Sequence, residues 1–193
     1  QRIDLYADVD RIASKEELVS LRSFVKRTLE NEPVQFIVGK VWFFGAEFNV
    51  NPSTLIPRTC TETIIEQAVR HSKTVQRSET TIRIADIGTG GGCIAITLAT
   101  TLPNSEITAT DISEDALALA LENATLHGVA DQITFIQGDC IDPLKPLAPF
   151  DVICSNPPYI PDHELNTLDP NVRDWEPTIA LSGGQDGLKI IRP

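Results

Sequence analysis

Ile82-Arg83-Ile84-Ala85-Asp86-Ile87-Gly88-Thr89-Gly90-Gly91-Gly92 is the stretch on which the reading of the fold turns. Its first six residues form a short, β-branched and largely apolar run, the composition of a buried strand. Four glycines then interrupt the chain, and an apolar run from Cys93 to Leu102 follows as a helix. The pattern repeats downstream. Ile107–Thr110 is a strand, Ser113 N-caps a helix of Ala and Leu that ends at Gly128, and Ile133–Ile136 and Phe150–Cys154 are two further strands. Strand–helix–strand alternation at this spacing predicts a parallel sheet with crossover helices, an α/β, Rossmann-like doubly wound fold.

Upstream of this unit, two smaller blocks precede the sheet. In the first, residues 1–32, Ser14 and Glu17 make an S-x-x-E capping box, and Leu18, Leu21, Val25 and Leu29 share one helical face. One helix cannot enclose a core, so this block is expected to be the remnant of a helical docking domain. The second, residues 33–72, opens with Phe36-Ile37-Val38 and Val41-Trp42-Phe43-Phe44, and Gly45 separates these from Phe48-Asn49-Val50. Aromatic and β-branched runs broken by Gly predict a hairpin. Thr59 with Glu62 then repeats the helix-start pattern, and Ile64, Ile65, Ala68 and Val69 supply a linker helix with an apolar face. Residues 73–193 are the sheet domain. Asp186 to Pro193 read as the start of a helix, the sheet has fewer strands than such folds use, and the chain contains no Met. A fragment truncated at both ends is expected.

The 193 residues carry 16 Lys+Arg against 27 Asp+Glu, a formal net charge of −11, and 41% are apolar. That charge argues against a broad nucleic-acid face, which needs a Lys/Arg surplus to displace counterions. No apolar run approaches the roughly 18 residues of a membrane span, and no basic flank leads into an apolar stretch at the N-terminus. Cys60, Cys93, Cys140 and Cys154 form no C-x-x-C pair, and His71, His127 and His163 are scattered, so no metal site is expected. Isolated cysteines in apolar sequence read as small buried hydrophobes of a reducing compartment, here the cytoplasm.

Three acidic or glycine-rich positions sit at strand ends, where an open α/β sheet binds ligands. Gly88, Gly90 and Gly92 give G-x-G-x-G preceded by an acid, with Thr89 and Gly91 between them. The dinucleotide fingerprint would place Gly or Ala where Cys93 stands, so the loop instead resembles the nucleoside-binding loop of S-adenosylmethionine (SAM) methyltransferases. Asp111 lies about twenty residues downstream, where an acid reads ribose hydroxyls; the plainer alternative is a helix N-terminal acid stabilised by the dipole. Gly138-Asp139-Cys140 follows the third strand, placed to meet an adenine edge or to be an ordinary turn.

Asn156-Pro157-Pro158-Tyr159 follows the fourth strand directly. Two prolines fix the backbone, remove N–H donors and leave carbonyls to accept. The Asn oxygen and a Pro carbonyl can take both hydrogens of a planar –NH₂ group, and Tyr159 can stack on its plane. An amide nitrogen is a poor nucleophile because its lone pair is delocalised. Acceptors on both hydrogens favour a pyramidal nitrogen and aim the lone pair at a methyl donor.

Together N-P-P-Y and G-x-G-x-G resemble the amino-methyltransferases that act on adenine N6 or on a glutamine amide. Phe43-Phe44-Gly45-Ala46-Glu47-Phe48, Leu55-Ile56-Pro57-Arg58, Glu32-Pro33, Glu176-Pro177 through Ala180-Leu181, and Gly183-Gly184-Gln185-Asp186-Gly187-Leu188 resemble, in order, the signatures of the HemK/PrmC family. Those enzymes methylate the glutamine of the Gly-Gly-Gln loop in peptide-chain release factors. The resemblance implies that Gly88, Thr89, Gly90, Gly91, Gly92, Asp111, Asp139, Cys140 and Asn156 hold SAM. It implies that Asn156, Pro157, Pro158, Tyr159 and Arg58 hold the glutamine, with Asn156, Pro157 and Tyr159 as the catalytic set. Pro57, Arg58 and Glu62 would shape the entrance, with Glu62 as a helix cap. Thr59 stands where the family has a second proline. The alternatives are a ribosomal-protein glutamine as acceptor, adenine-N6 methylation of nucleic acid, and a SAM-binding module without catalysis.

Overall fold

The computed structural model describes residues 11–75 and 81–192, so residues 1–10 of the first block and the final Pro193 lie outside the described residues. Among the described residues six strands form two sheets. Strands β1 (Lys40–Phe43) and β2 (Ala46–Asn49) pair as an antiparallel hairpin. Strands β3 (Ile82–Ile87), β4 (Ser105–Asp111), β5 (Ile133–Gln137) and β6 (Val152–Ser155) form a parallel sheet in the order β5-β4-β3-β6. The chain enters at β3, steps outward through β4 to β5, then returns to the other side of β3 with β6. That reversal opens a crevice at the carboxyl ends of the strands, the place where such sheets bind ligands.

Burial explains why the central strands read as continuous apolar runs. Ile82, Ile84, Ala85 and Asp86 of β3 are all buried, with helices covering both faces. Helix α4 (Cys93–Thr101) buries Ile94 through Ala99 without a break, as a helix apolar on all sides must. Helix α5 (Glu114–Leu126) starts at Ser113, whose hydroxyl accepts the Ala116 N–H at 3.2 Å, with Glu114 and Asp115 in its first turn. It buries Ala116, Leu119, Ala120, Asn123 and Ala124, one stripe at helical spacing. Helix α3 (Glu62–Val75) buries Ile65, Ala68 and Ser72 against α4 and β6.

Two expectations for the first two blocks need correction. Phe36-Ile37-Val38 is not a strand but part of a short helix, α2 (Val34–Val38). Pro33 sets its first turn, and Gly39 ends it in the left-handed conformation (φ 75°), donating to the Gln35 carbonyl at 2.7 Å. The hairpin is therefore β1 and β2 alone. At its turn Phe44 and Gly45 both have positive φ (49° and 77°), as a type I′ hairpin turn requires. Glu62 is not a cap either: Thr59–Thr61 form a 3₁₀ turn ahead of α3, and the Glu62 carboxylate accepts the Phe44 N–H at 2.9 Å. The hairpin buries Phe43 and Phe48 edge-to-face (ring centroids 6.0 Å apart) within the same core as the large sheet.

Helix α1 (Lys15–Leu29) carries the expected capping box in full: the Ser14 hydroxyl accepts the Glu17 N–H, and Glu17 accepts the Ser14 N–H at 2.8 Å. None of its residues is buried, and Leu29 is 79% exposed. Downstream of β6, Pro170–Arg173 (α6) and Thr178–Leu181 (α7) are short turns of helix. Asp186 accepts the Leu188 N–H, and the Arg192 N–H reaches the Leu188 carbonyl at 3.0 Å, one helical turn among the described residues.

Candidate active site

A cavity of about 460 Å³ occupies the crevice above the parallel sheet. Its floor is the glycine loop. Gly88 and Gly90 have φ of 69° and 55°, which glycine alone adopts without strain, and the Gly88 and Thr89 N–H groups bond the Thr110 carbonyl at 2.8 and 2.9 Å. Among the described residues nothing lies within 4 Å of where a Gly88 Cβ would stand, so the loop presents bare backbone to the cavity. Gly91 also lines it, but Gly92 does not. A Cβ on Gly92 would meet Ile96 at 2.8 Å and Ala120 at 3.1 Å, so this glycine is required by the packing of α4 on α5.

Carboxylates tie the floor together. Asp86, fully buried, accepts the Thr89 hydroxyl at 2.7 Å and the Ala95 N–H at 3.2 Å through one oxygen, while its other oxygen has no partner. Burial pushes its pKa up to about 6. Asp111 lines the cavity and accepts the Gly90 N–H at 2.8 Å and the Ser113 N–H at 3.0 Å, so it fastens the loop and the start of α5. Each of its oxygens keeps a lone pair for a further donor. Gly138, Asp139 and Cys140 form the wall beyond β5. Cys140 sits at φ 46°, and its thiol donates to Asp139 at 3.0 Å. Among the cysteines only Cys154 is fully buried; Cys93 and Cys140 face the cavity, and Cys60 is exposed.

Asn156, Pro157 and Pro158 form the opposite wall. The Asn156 side-chain N–H donates to the Thr61 hydroxyl at 3.3 Å. Tyr159 is 60% exposed and does not line the cavity. The loop is held from behind. Ile160 N–H bonds the Leu181 carbonyl, and Gly183 N–H bonds the Ile160 carbonyl at 2.9 Å. A Cβ on Gly187 (φ 77°) would overlap the Tyr159 carbonyl oxygen. Arg58 does not line the cavity; its guanidinium pairs with the buried Glu176, which also accepts the Ile56 N–H at 3.2 Å.

Sequence reading missed the roles of four groups that build this site. Thr61 and Thr54 line the cavity and are buried. Glu176 clasps the 55–58 segment from 118 residues away. Asn123 bonds the Asn49 backbone in both directions and donates to the Gly91 carbonyl at 2.9 Å, joining the hairpin to the loop. An Asn inside the apolar stripe of α5 is the one signal that could have found it.

A family model described as the methyltransferase small domain matches residues 62–170, the span from α3 through the Asn-Pro-Pro-Tyr loop. The chain belongs to the methyltransferase small domain family. It is 43% identical over 191 residues to the release factor glutamine methyltransferase of Geobacter sulfurreducens, covering 99% of this chain and 64% of that protein. It is 43% identical over 185 residues to the protein of the same name from Chlorobaculum tepidum, covering 94% and 63%. This member of the family thus spans just under two thirds of the length of the curated relatives it matches. The catalytic domain of human METTL16, solved in complex with MAT2A 3′UTR hairpin 6, shares the fold with a TM-score of 0.58 at 19% identity, over 77% of this chain and 54% of that one. Among the described residues no helix is long and apolar enough to cross a membrane.

Proposed function

We propose that this chain is the catalytic part of a cytoplasmic SAM-dependent methyltransferase that methylates the side-chain amide nitrogen (N5) of the glutamine in the Gly-Gly-Gln loop of peptide-chain release factors. The observation that carries the reading is the single cavity whose two walls are the Gly88–Gly91 loop with Asp111 and the Asn156-Pro157-Pro158 segment. The names of the two relatives support the acceptor. Residues 73–193 carry the cofactor-binding sheet, residues 33–72 cover its cavity, and residues 1–32 belong to substrate docking.

The residues present fit SAM. A cavity of this size suits a nucleoside-sized ligand, which needs roughly 300–1,000 Å³. Gly88 offers bare backbone, and Asp111 keeps acceptor capacity for ribose hydroxyls. Asp139 and the Cys140 backbone are the groups for the adenine edge. When bound, SAM would supply an electrophilic sulfonium methyl. Asn156 Oδ1 and the Pro157 carbonyl accept the two amide hydrogens of glutamine, orient the nitrogen lone pair and stabilise the positive charge that develops on it. The N–CH₃ bond would form as the S–CH₃ bond breaks, with the thioether S-adenosylhomocysteine as leaving group, and the nitrogen would lose one proton to solvent, since the methylated amide cation is strongly acidic.

Intact-mass analysis of a release factor incubated with SAM and the full-length protein tests this. One added methyl is expected, absent when the glutamine of the Gly-Gly-Gln loop is replaced. Methylation that persists after that replacement would sink the assignment.

A further inference from the structure

We propose that Thr61 is a positioning residue: its hydroxyl anchors the Asn156 carboxamide by the nitrogen end, so that the oxygen end faces the acceptor amide. The proposal rests on the glutamine reading above and deepens it.

Asn156 needs an outside anchor. Its backbone is restricted by the following Pro157, which confines it to extended conformations, and Ser155 is fastened to the Ile87 carbonyl at 2.8 Å. The main chain is therefore fixed, but nothing in it distinguishes the two ends of a carboxamide. Oxygen and NH₂ are nearly the same size, so their placement follows from the partners on both sides: a hydroxyl can accept from the NH₂ end, and a substrate –NH₂, which only donates, takes the oxygen end. With Oδ1 toward the cavity, Asn156 and the Pro157 carbonyl present two acceptors to a substrate –NH₂. With Nδ2 toward the cavity, the same side chain would present a donor to a donor, and the substrate would lose one of its two contacts.

Thr61 is placed to hold the nitrogen end while the substrate takes the oxygen end. It is 4% exposed, lines the cavity, and its hydroxyl oxygen accepts from Asn156 Nδ2 at 3.3 Å across 95 residues of sequence. It stands at the end of the 3₁₀ turn Thr59–Thr61, whose Thr61 N–H bonds the Arg58 carbonyl at 2.9 Å. That turn is held by the buried Glu176, which takes both the Arg58 guanidinium and the Ile56 N–H. The L-I-P-R and E-P segments thereby form a clasp that delivers one hydroxyl to one carboxamide. Arg58 acts through this clasp rather than by touching the glutamine.

Thr61→Val keeps the shape and removes the acceptor; Thr61→Ser keeps the acceptor and removes a methyl. In full-length protein, Thr61→Val is expected to lower kcat for release-factor methylation about tenfold, the effect of one buried donor left unpaired. SAM affinity by calorimetry should stay within twofold, and Thr61→Ser should restore kcat. Independently of any substrate, the side-chain NH₂ resonances of Asn156, identified by their loss in Asn156→Ala, should shift in Thr61→Val and return in Thr61→Ser. Unchanged resonances in Thr61→Val overturn the proposal, as does a Thr61→Ser variant as impaired as Thr61→Val, or a loss of SAM binding equal to the loss of kcat. A wild-type protein that methylates no release factor sinks the glutamine reading instead, and the resonances still decide the role of Thr61.

Discussion

The two walls of the cavity are stiffened by opposite means. The Gly88–Gly91 floor is a loop made rigid from inside: positive φ at Gly88 and Gly90, backbone bonds to Thr110, and two carboxylates threaded beneath it. The Asn156–Pro158 wall has little internal bonding. Its prolines limit the backbone, and the rest of its support arrives from distant segments, Thr61 on one side and residues 181–187 on the other. The Gly88, Thr89 and Gly90 N–H groups of the floor are already bonded to Thr110 and Asp111, so its glycines serve the close approach of a ligand to bare backbone. A wall meant to accept hydrogens must instead hold carbonyls outward, and prolines do so by having no N–H to donate.

The largest effect should come from removing the acceptor itself. Asn156→Ala is expected to lower methyl transfer by about a thousandfold, roughly 4 kcal/mol, as for loss of one preorganised polar group at a reacting atom. SAM binding should remain measurable by calorimetry. Transfer surviving this change would show that the second wall does not hold the amide.

Glycines separate the two walls next. Gly187→Ala combines a left-handed backbone with an overlap on the Tyr159 carbonyl, so a stability loss of about 3–4 kcal/mol is expected in urea unfolding. Gly88→Ala meets nothing within 4 Å and bears the backbone cost alone, about 1–2 kcal/mol, with its main consequence in SAM affinity. Equal losses at the two sites would erase the distinction between a buttressed wall and a self-supporting floor.

The smallest effect concerns the buried acid under the floor. Asp86 binds its proton more tightly in the folded state, where its pKa is about 6 against an ordinary 3.8. The stabilisation from that proton is complete below about pH 3.8 and is lost as pH rises through about 6. Asp86→Asn has no such proton to lose. From about pH 4.5 to about pH 7.5 wild type should therefore fall relative to Asp86→Asn by about 2 kcal/mol, measured by urea unfolding of both proteins. A difference independent of pH would mean that Asp86 does not titrate in this window.

What the sequence made legible follows the range of the physics involved. The parallel strands and their helices could be read because burial on both faces writes an uninterrupted apolar run, and Ser113 or Ser14 marks a helix start within four residues. The floor was legible for the same reason, since its glycines and Asp111 lie at the ends of consecutive elements. Contacts between distant segments write no period. Arg58 with Glu176 and Thr61 with Asn156 could not be found by spacing, and Glu62 looked like a cap because its hairpin partner Phe44 is remote in sequence. Phe36–Val38 misled for a different reason. Five residues are too few for periodicity to separate a short helix from a strand, and the left-handed Gly39 decided it. Helix α1 shows the remaining gap: a complete capping box sets where a helix starts, but not what its apolar face covers.

A last consequence lies in the thiols of the cavity. Cys93 is pushed up to about 12 by burial, and Cys140 to about 11 by its hydrogen bond to Asp139. A pocket that handles an alkylating agent must not contain a better nucleophile than its intended acceptor, and a thiolate is far better than an amide. At neutral pH fewer than about one in a thousand of either thiol is ionised. On the proposed function, the same carboxylate and apolar surroundings that shape the binding walls hold these thiols in the protonated, unreactive form.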